Sequence, residues 1–121
     1  MAKHNIIGKE GENLALSYLE SKKFTILATN WRFSHLEIDI IAQQNMTVCF
    51  IEVKTRSTTF FGEPHLALTK AKQKNMLIAA NHYIEEYKID TDIRFDLISI
   101  VITGEAKTLT HYENVFNPFQ F

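Results

Sequence analysis

The chain has 121 residues, of which 45% are hydrophobic and 22% are charged, a balance that argues against intrinsic disorder and predicts a single globular domain over 1–121. Thirteen Lys and Arg residues against fourteen Asp and Glu give a formal net charge of −1, so any contact with nucleic acid must come from a local basic patch. A single cysteine, Cys49, excludes a disulfide framework and a multi-cysteine zinc site. Because the sequence shows neither a secretion signal nor an apolar run of about 18 residues, we expect a cytoplasmic protein that does not contact membranes.

The predicted first helix covers residues 5–22, because apolar residues recur there at helical spacing, at Leu14, Ala15, Tyr18 and Leu19. Gly8 and Gly11 weaken its first turns, since glycine in a helix costs about 1 kcal/mol relative to alanine. This cost indicates either that the helix begins later or that another segment approaches the helix closely at a glycine.

Three strands are predicted next, over 24–33, 36–43 and 47–55, because apolar and polar residues alternate there. A turn around Asn45 would join the second and third strands as a hairpin. A loop follows over 56–67.

Thr69 is the predicted N-cap of a second helix that ends near Tyr87. Its predicted inner face consists of Gln73, Met76, Leu77, Ala80, Ile84 and Tyr87. Strands over 93–102 and 107–112 complete the chain. Arg94 and Asp96 share one face of the first of them, where an ion pair is the expected role and a phosphate contact by Arg94 is the alternative. The order α-β-β-β-α-β-β predicts an α/β fold with a mixed sheet flanked by helices.

Charged residues interrupt two of the most apolar segments of the chain. Glu37 and Asp39 lie on one face of the second strand, and Glu52 and Lys54 lie on one face of the third. Charged side chains are costly to bury unless they are paired or bound to a cation. These four residues therefore face solvent or surround something positive.

The turn between these strands decides which carboxylates meet. A two-residue turn at Gln44-Asn45 would place Glu37 opposite Glu52, and a turn at Asn45-Met46 would place Asp39 opposite Glu52. Both registers gather the three carboxylates and the lysine on one face. A three-residue loop would separate them onto opposite faces.

Carboxylates that oppose each other across a hairpin repel unless a proton or a cation joins them. Oxygen ligands favour a hard cation such as Mg²⁺ or Mn²⁺. A lysine beside that cation can orient water or neutralise charge on a phosphate. The pattern therefore predicts metal-assisted hydrolysis of phosphodiester bonds, although a Glu-x-Lys triplet alone is usually a solvated ion pair.

A local cationic rim is predicted after the third strand and at the start of the second helix, from Arg56, Lys70, Lys72 and Lys74. For the lysines the alternative is a solvated helix end. Gln73 faces inward and is a further candidate for a phosphate contact, with a buried amide that has local partners as the alternative. Phe60 and Phe61 in the loop either stack on bases or anchor the loop to the core.

Motifs over nearly the whole chain follow one another in a specific order: Gly8-x-x-Gly11-Glu12, Asn30-x-Arg32, Glu37-Ile38-Asp39-Ile40-Ile41-Ala42, Phe50-Ile51-Glu52-Val53-Lys54-x-Arg56, Arg94-Phe95-Asp96 and His111-x-x-Asn114. In this order they resemble the YraN-like family. That family is placed in the restriction-endonuclease-like superfamily, whose signature is an Asp followed by Asp/Glu-x-Lys, and is similar to archaeal Holliday-junction resolvases. The resemblance implies a restriction-endonuclease-like fold and a Mg²⁺- or Mn²⁺-dependent endonuclease.

The resemblance also implies roles for single residues. Asp39 and Glu52 would be metal ligands, helped by the backbone carbonyl of Val53. Lys54 would position the attacking water. Glu12, on the first helix, matches the position of a further acidic residue used by the resolvase branch.

Glu37 belongs to the family's Glu-Ile-Asp motif, where an outer position around the metal is one interpretation. Leu36 stands where the family usually has glycine, so a bulge is one expectation for the local backbone.

Resolvases act as symmetric dimers because a four-way junction needs paired cuts, and a homodimer is expected here by resemblance only.

Three functions are open at this point. The first is an endonuclease acting on DNA, with branched or junction DNA among its candidate substrates. The second is a non-catalytic nucleic-acid-binding module with the same fold. The third is sugar hydrolysis by a carboxylate pair without a metal, which would leave Lys54 without a purpose.

Overall fold

The computed structural model describes residues 3–57 and 67–118. Its elements are α1 (Lys3–Ser21), β1 (Thr25–Phe33), β2 (Leu36–Gln44), β3 (Thr47–Arg56), α2 (Lys70–Tyr87), β4 (Asp92–Thr103) and β5 (Ala106–Tyr112). The predicted order α-β-β-β-α-β-β is confirmed. Most of the predicted loop, including Phe60 and Phe61, lies outside the described residues.

The five strands form one mixed sheet in the order β1-β2-β3-β4-β5. Only β3 and β4 are parallel among the pairs of this sheet, and α2 connects them as the crossover that a parallel pair requires. One face carries a core that includes Leu19 of α1, and the other carries a core that includes Met76 of α2. This arrangement is consistent with the expected restriction-endonuclease-like fold.

The hairpin between β2 and β3 adopts the second of the two predicted registers. Gln44 pairs with Thr47, so the turn consists of Asn45 and Met46. Asn45 has φ 54°, a left-handed conformation that asparagine tolerates better than most residues. This register brings Asp39 and Glu52 level with each other.

The pairing of β2 with β3 stops at Ile40 and Ile51, just before the acidic residues. Beyond this point β2 continues to pair with β1, where Ile38 lies opposite Trp31, and β3 continues to pair with β4. The two central strands therefore part, and we call this opening the fork. The fork places the polar side chains of Asp39 and Glu52 directly beside the buried segments 40–42 of β2 and 48–51 of β3.

Two predictions about side-chain placement are wrong. Tyr87, placed on the inner face of α2, is 52% exposed, whereas Ala79 and Tyr83 are buried. The tight contact with the sheet therefore follows Met76, Ala79, Ala80 and Tyr83. Leu36 does not form a bulge, since it is buried in a regular pair with Phe33, and the irregularity of β1 lies earlier in that strand.

Asp96 is the one charged residue among the buried residues of the described chain. Arg94 donates to both of its carboxylate oxygens, at 2.9 and 3.0 Å, which confirms the expected ion pair. His111 Nε2 lies 2.8 Å from Asp96 Oδ2, and the backbone N–H of Asn114 donates to Oδ1. Because an ionised carboxylate only accepts, His111 Nε2 donates to Asp96, and Nδ1 of the same ring lies 2.9 Å from the Tyr18 hydroxyl, from which it accepts when the ring is neutral. This network ties α1, β4 and the end of β5 together.

We expect Asp96→Asn to lower the free energy of unfolding by about 3–5 kcal/mol, because it leaves Arg94 with no buried counter-charge. Burial acts to raise the pKa of Asp96, but the hydrogen bonds from His111 and Arg94 outweigh it and hold that pKa below its usual value. The stabilisation is therefore present at neutral pH and is lost as the pH falls through the folded-state pKa. Urea unfolding at neutral and acidic pH measures both effects. Asp92→Asn, at an exposed position of β4, is the control, and equal stability of the two variants would contradict the prediction.

Gly11 is the point at which α1 meets β3. A Cβ atom built at Gly11 would overlap the side chain of Thr55, whereas one built at Gly8 has nothing within 4 Å. The alternative of a close approach at a glycine is thus confirmed for Gly11. The contact sets the next residue of α1, Glu12, beside the end of β3.

We expect Gly11→Ala to destabilise the protein by about 1–3 kcal/mol, because the added methyl group is forced against Thr55. Combining it with Thr55→Gly removes the overlapping atoms and should recover part of this loss. Gly8→Ala is the matched control, and it should be neutral or stabilising by up to about 1 kcal/mol through helix propensity. Chemical unfolding of the four proteins gives these differences. Gly11→Ala as stable as Gly8→Ala would show that α1 does not approach β3 this closely.

Candidate metal and phosphate site

Asp39 lies at the base of the fork. Its Oδ2 accepts a hydrogen bond from the backbone N–H of Val53 at 2.8 Å. This bond crosses from β2 to β3 just after the regular pairing of the two strands has ended. A side chain thus replaces the missing backbone contact and is fixed in orientation by it.

The surroundings of Asp39 disfavour its negative charge. Burial, and next the nearby charge of Glu52, raise the pKa of Asp39 to about 7, although the hydrogen bond from Val53 acts to lower it. The charges of Glu12 and Glu37 raise it further. A carboxyl group in such a position gains from any cation that joins the cluster.

One pocket opens on the side of the fork that faces α2. It has a volume of about 230 Å³, and its lining includes Glu37, Asp39 and Glu52. Lys72 also lines it, and Lys72 Nζ donates to Glu52 Oε2 at 2.9 Å. The three carboxylates that the sequence placed on one face therefore meet in one pocket, together with an ammonium group from α2.

A second pocket, of about 470 Å³, opens on the side of the fork that faces α1. Lys54, Glu12 and Lys9 line it, and Asp39 lines both pockets. The expectation that Lys54 clusters with all three carboxylates on one face is therefore only partly correct. The strand ends diverge enough that Lys54 and Glu52 line different pockets, with Asp39 between them.

Asn30 holds Glu12 and was not recognised as a site residue from the sequence. Its Nδ2 donates to Glu12 Oε1 at 2.7 Å. The neighbours of Asn30 on β1 pair with the neighbours of Asp39 on β2, so Asn30 lies level with Asp39. It has φ 50°, which asparagine accepts more readily than most residues. The Asn30-x-Arg32 motif was the only sequence signal for this role.

The other predicted substrate residues line neither pocket. Arg56 ends β3 and is half-buried, and Lys70 and Lys74 are exposed in the first turns of α2. Gln73 donates its side-chain amide to the carbonyl oxygen of Leu68 at 2.9 Å, so the alternative of a local partner is the one the structure favours. Substrate contacts by these four residues stay predictions.

The donor set suits a cation that keeps much of its own water. Among the described side chains, which span residues 6–57 and 67–118, no three acidic, histidine or cysteine groups converge into a ready-made metal cage. Mg²⁺ commonly binds one or two carboxylates and completes its octahedron with waters and substrate phosphates. Asp39 and Glu52, level with each other across the fork, are two carboxylates of the kind that this mode of binding uses.

Fold and site together define a small α/β protein with acidic and basic groups gathered at a fork in its sheet. Neither helix of the described chain is long and apolar enough to cross a membrane. The profile described as "Uncharacterised protein family UPF0102" matches residues 11–100.

Similar proteins cover almost the full length of this chain. A UPF0102 protein of Christiangramia forsetii is 44% identical over 117 residues, which is 96% of this chain and 98% of that protein. A UPF0102 protein of Bacteroides fragilis is 41% identical over 118 residues, with 98% of each chain covered. A UPF0102 protein of Flavobacterium psychrophilum is 40% identical and is covered completely. The chain belongs to the UPF0102 family, which is the YraN family that its motifs resembled.

We expect Asp39→Asn to remove a pH dependence of stability. With a folded-state pKa of about 7 against an ordinary value of 3.8, Asp39 binds its proton more tightly in the folded chain, so the free energy of unfolding falls as the pH rises between these values. One pKa unit corresponds to about 1.4 kcal/mol, so the loss should exceed about 1 kcal/mol. Denaturant unfolding in EDTA at several pH values tests this. The side-chain oxygen of asparagine can still accept the hydrogen bond from Val53, so the substitution keeps this contact and removes only the titration. If the free energy of unfolding depended on pH equally in both proteins, the raised pKa would be contradicted.

Proposed function

We propose that this protein is a divalent-metal-dependent endonuclease that hydrolyses phosphodiester bonds in DNA. The observation that supports it most is Asp39 at the fork, level with Glu52 and shared by two pockets that also carry lysines. Acidic oxygens for a metal and ammonium groups for a phosphate are the two requirements of this reaction.

Each residue of the proposed site has a defined task. Asp39 and Glu52 would hold the cation together with the carbonyl of Val53, and the hydrogen bond from the Val53 N–H keeps the Asp39 carboxylate aimed into the fork. Bound Mg²⁺ or Mn²⁺ would polarise the phosphoryl oxygen and lower the pKa of a coordinated water. Lys54, from the adjacent pocket, positions the attacking water and balances charge on the phosphate. Glu12, oriented by Asn30, supplies a further acidic oxygen beside Lys54.

The local distribution of charge supports a nucleic-acid substrate in a chain whose net charge is only −1. Lys9 and Lys54 line one pocket and Lys72 lines the other, so positive groups stand on both sides of Asp39. Such contacts reach the phosphate backbone and carry no sequence preference. Selection by backbone shape is therefore expected, with branched or junction DNA as candidate substrates. A homodimer as the acting form follows from the resemblance to resolvases alone, and the cytoplasm is the proposed location.

A non-catalytic nucleic-acid-binding module is the second candidate function. It is favoured by the absence of a three-carboxylate cage in the described residues and by the ion pair that already engages Glu52. In that case the carboxylates would serve structure, and binding to DNA would not depend on a metal. The two functions differ in the need for a divalent cation.

We expect Asp39→Asn and Lys54→Met to lower the rate of Mg²⁺- or Mn²⁺-dependent nicking by at least about a hundredfold, since each removes a charge that acts on the reacting phosphate. The assay uses supercoiled plasmid and a synthetic four-way junction, with and without EDTA. Glu105→Gln, at an exposed position in the turn between β4 and β5, is the control and should cleave like the wild-type protein.

Two results would overturn the nuclease. Cleavage that persists at the wild-type rate in Asp39→Asn would show that the activity does not come from this site. Binding of DNA by all variants, with no cleavage in any cation, would establish the binding module instead. A thermal melt of each variant separates loss of activity from loss of fold.

A further inference from the structure

Lys72 and a metal ion would both bind the carboxylate of Glu52. The ammonium of Lys72 lies 2.9 Å from Glu52 Oε2, and the side chain of Glu52 is only 15% exposed. Glu52 thus has little access to solvent and directs its charge toward the pocket that Lys72 lines. Two cations held at contact distance on one carboxylate group repel each other.

The backbone and the side chain of Lys72 differ in their freedom to move. Lys72 is the third residue of α2, and its N–H donates to the hydroxyl of the N-cap Thr69, which fixes the backbone. Its side chain is 45% exposed and has several rotatable bonds. The ammonium can therefore leave Glu52 and remain at the mouth of the same pocket.

We propose that Lys72 is a positioning residue that exchanges partners. Its ammonium competes with a divalent cation for Glu52 and, once displaced, binds a phosphate of the nucleic acid that enters the pocket. This inference rests on the proposed nuclease and specifies how its two ligands are coupled. Because each ligand removes the competitor of the other, cation and nucleic acid bind with positive cooperativity, and the coupling is reciprocal.

The chain contains a matched control for this contact. Lys107 Nζ lies 2.9 Å from Glu10 Oε2, and the side chain of Lys107 is 46% exposed, close to the value for Lys72. Neither Lys107 nor Glu10 lines the pockets at the fork. Lys107→Met therefore removes the same charge from a similar ion pair at a different place.

The first measurement is the affinity for Mn²⁺ in the absence of nucleic acid. The electron paramagnetic resonance signal of the free ion reports how much Mn²⁺ remains unbound. We expect Lys72→Met to bind Mn²⁺ about two- to fivefold more tightly than the wild-type protein, the range for loss of a partly exposed ion pair. Lys107→Met should match the wild-type protein. A purely structural lysine would give no change or weaker binding of the ion after substitution.

The second measurement is the affinity for a short fluorescent DNA duplex, with Ca²⁺ as a cation that does not support cleavage, at constant ionic strength. Ca²⁺ should increase the affinity of the wild-type protein and of Lys107→Met by a larger factor than that of Lys72→Met. The exchange would be overturned if Ca²⁺ increased the DNA affinity of all three proteins by the same factor. It would also be overturned if Lys72→Met bound Mn²⁺ no more tightly than Lys107→Met. Neither result would contradict the proposed nuclease activity. Failure of all three proteins to bind Mn²⁺ would overturn the proposed metal site and this inference with it.

Discussion

The hydrogen bond from the Val53 N–H to Asp39 is the contact on which the site depends. Two strands that pair along their length leave no room for a ligand, and two strands that separate expose backbone groups that must be satisfied. Here β2 follows β1 and β3 follows β4 beyond the last pair they share, and a carboxylate takes the backbone N–H that the partner strand no longer reaches. The same hydrogen bond links β2 to β3 beyond their last backbone pair and orients the Asp39 carboxylate.

As a consequence, the carboxyl group of Asp39 has a hydrogen-bond partner, but its ionisation is unfavourable. Burial and the neighbouring Glu52 disfavour the ionised state of Asp39, while the Val53 N–H favours it. A carboxyl group of this kind takes up a proton readily, and a bound cation would favour its ionised form. Asp96 shows the opposite case, since Arg94, His111 and a backbone N–H keep a fully buried carboxylate ionised and locked within the sheet.

The surrounding elements supply the remaining groups from both faces of the sheet. On one face the absence of a side chain at Gly11 lets α1 approach Thr55, which sets Glu12 beside the fork. On the other face the start of α2 delivers Lys72 to Glu52. Residues that are distant in sequence thus converge because a mixed sheet with a crossover helix brings both helices to the same strands.

Local patterns in the sequence were sufficient to predict the order of the elements and the start of α2 at its Thr69 cap. They were also sufficient to predict the shared face of Glu37, Asp39 and Glu52. The reason is that capping and strand alternation depend on neighbouring residues only. The turn chemistry narrowed the hairpin to two registers, and only the folded sheet selected one. The fork, the division of the site into two pockets, the support of Glu12 by Asn30 and the ion pair of Lys72 with Glu52 were decided by tertiary structure. Each of them depends on how far separate strands and helices diverge or approach in space, and no spacing along the chain encodes that distance.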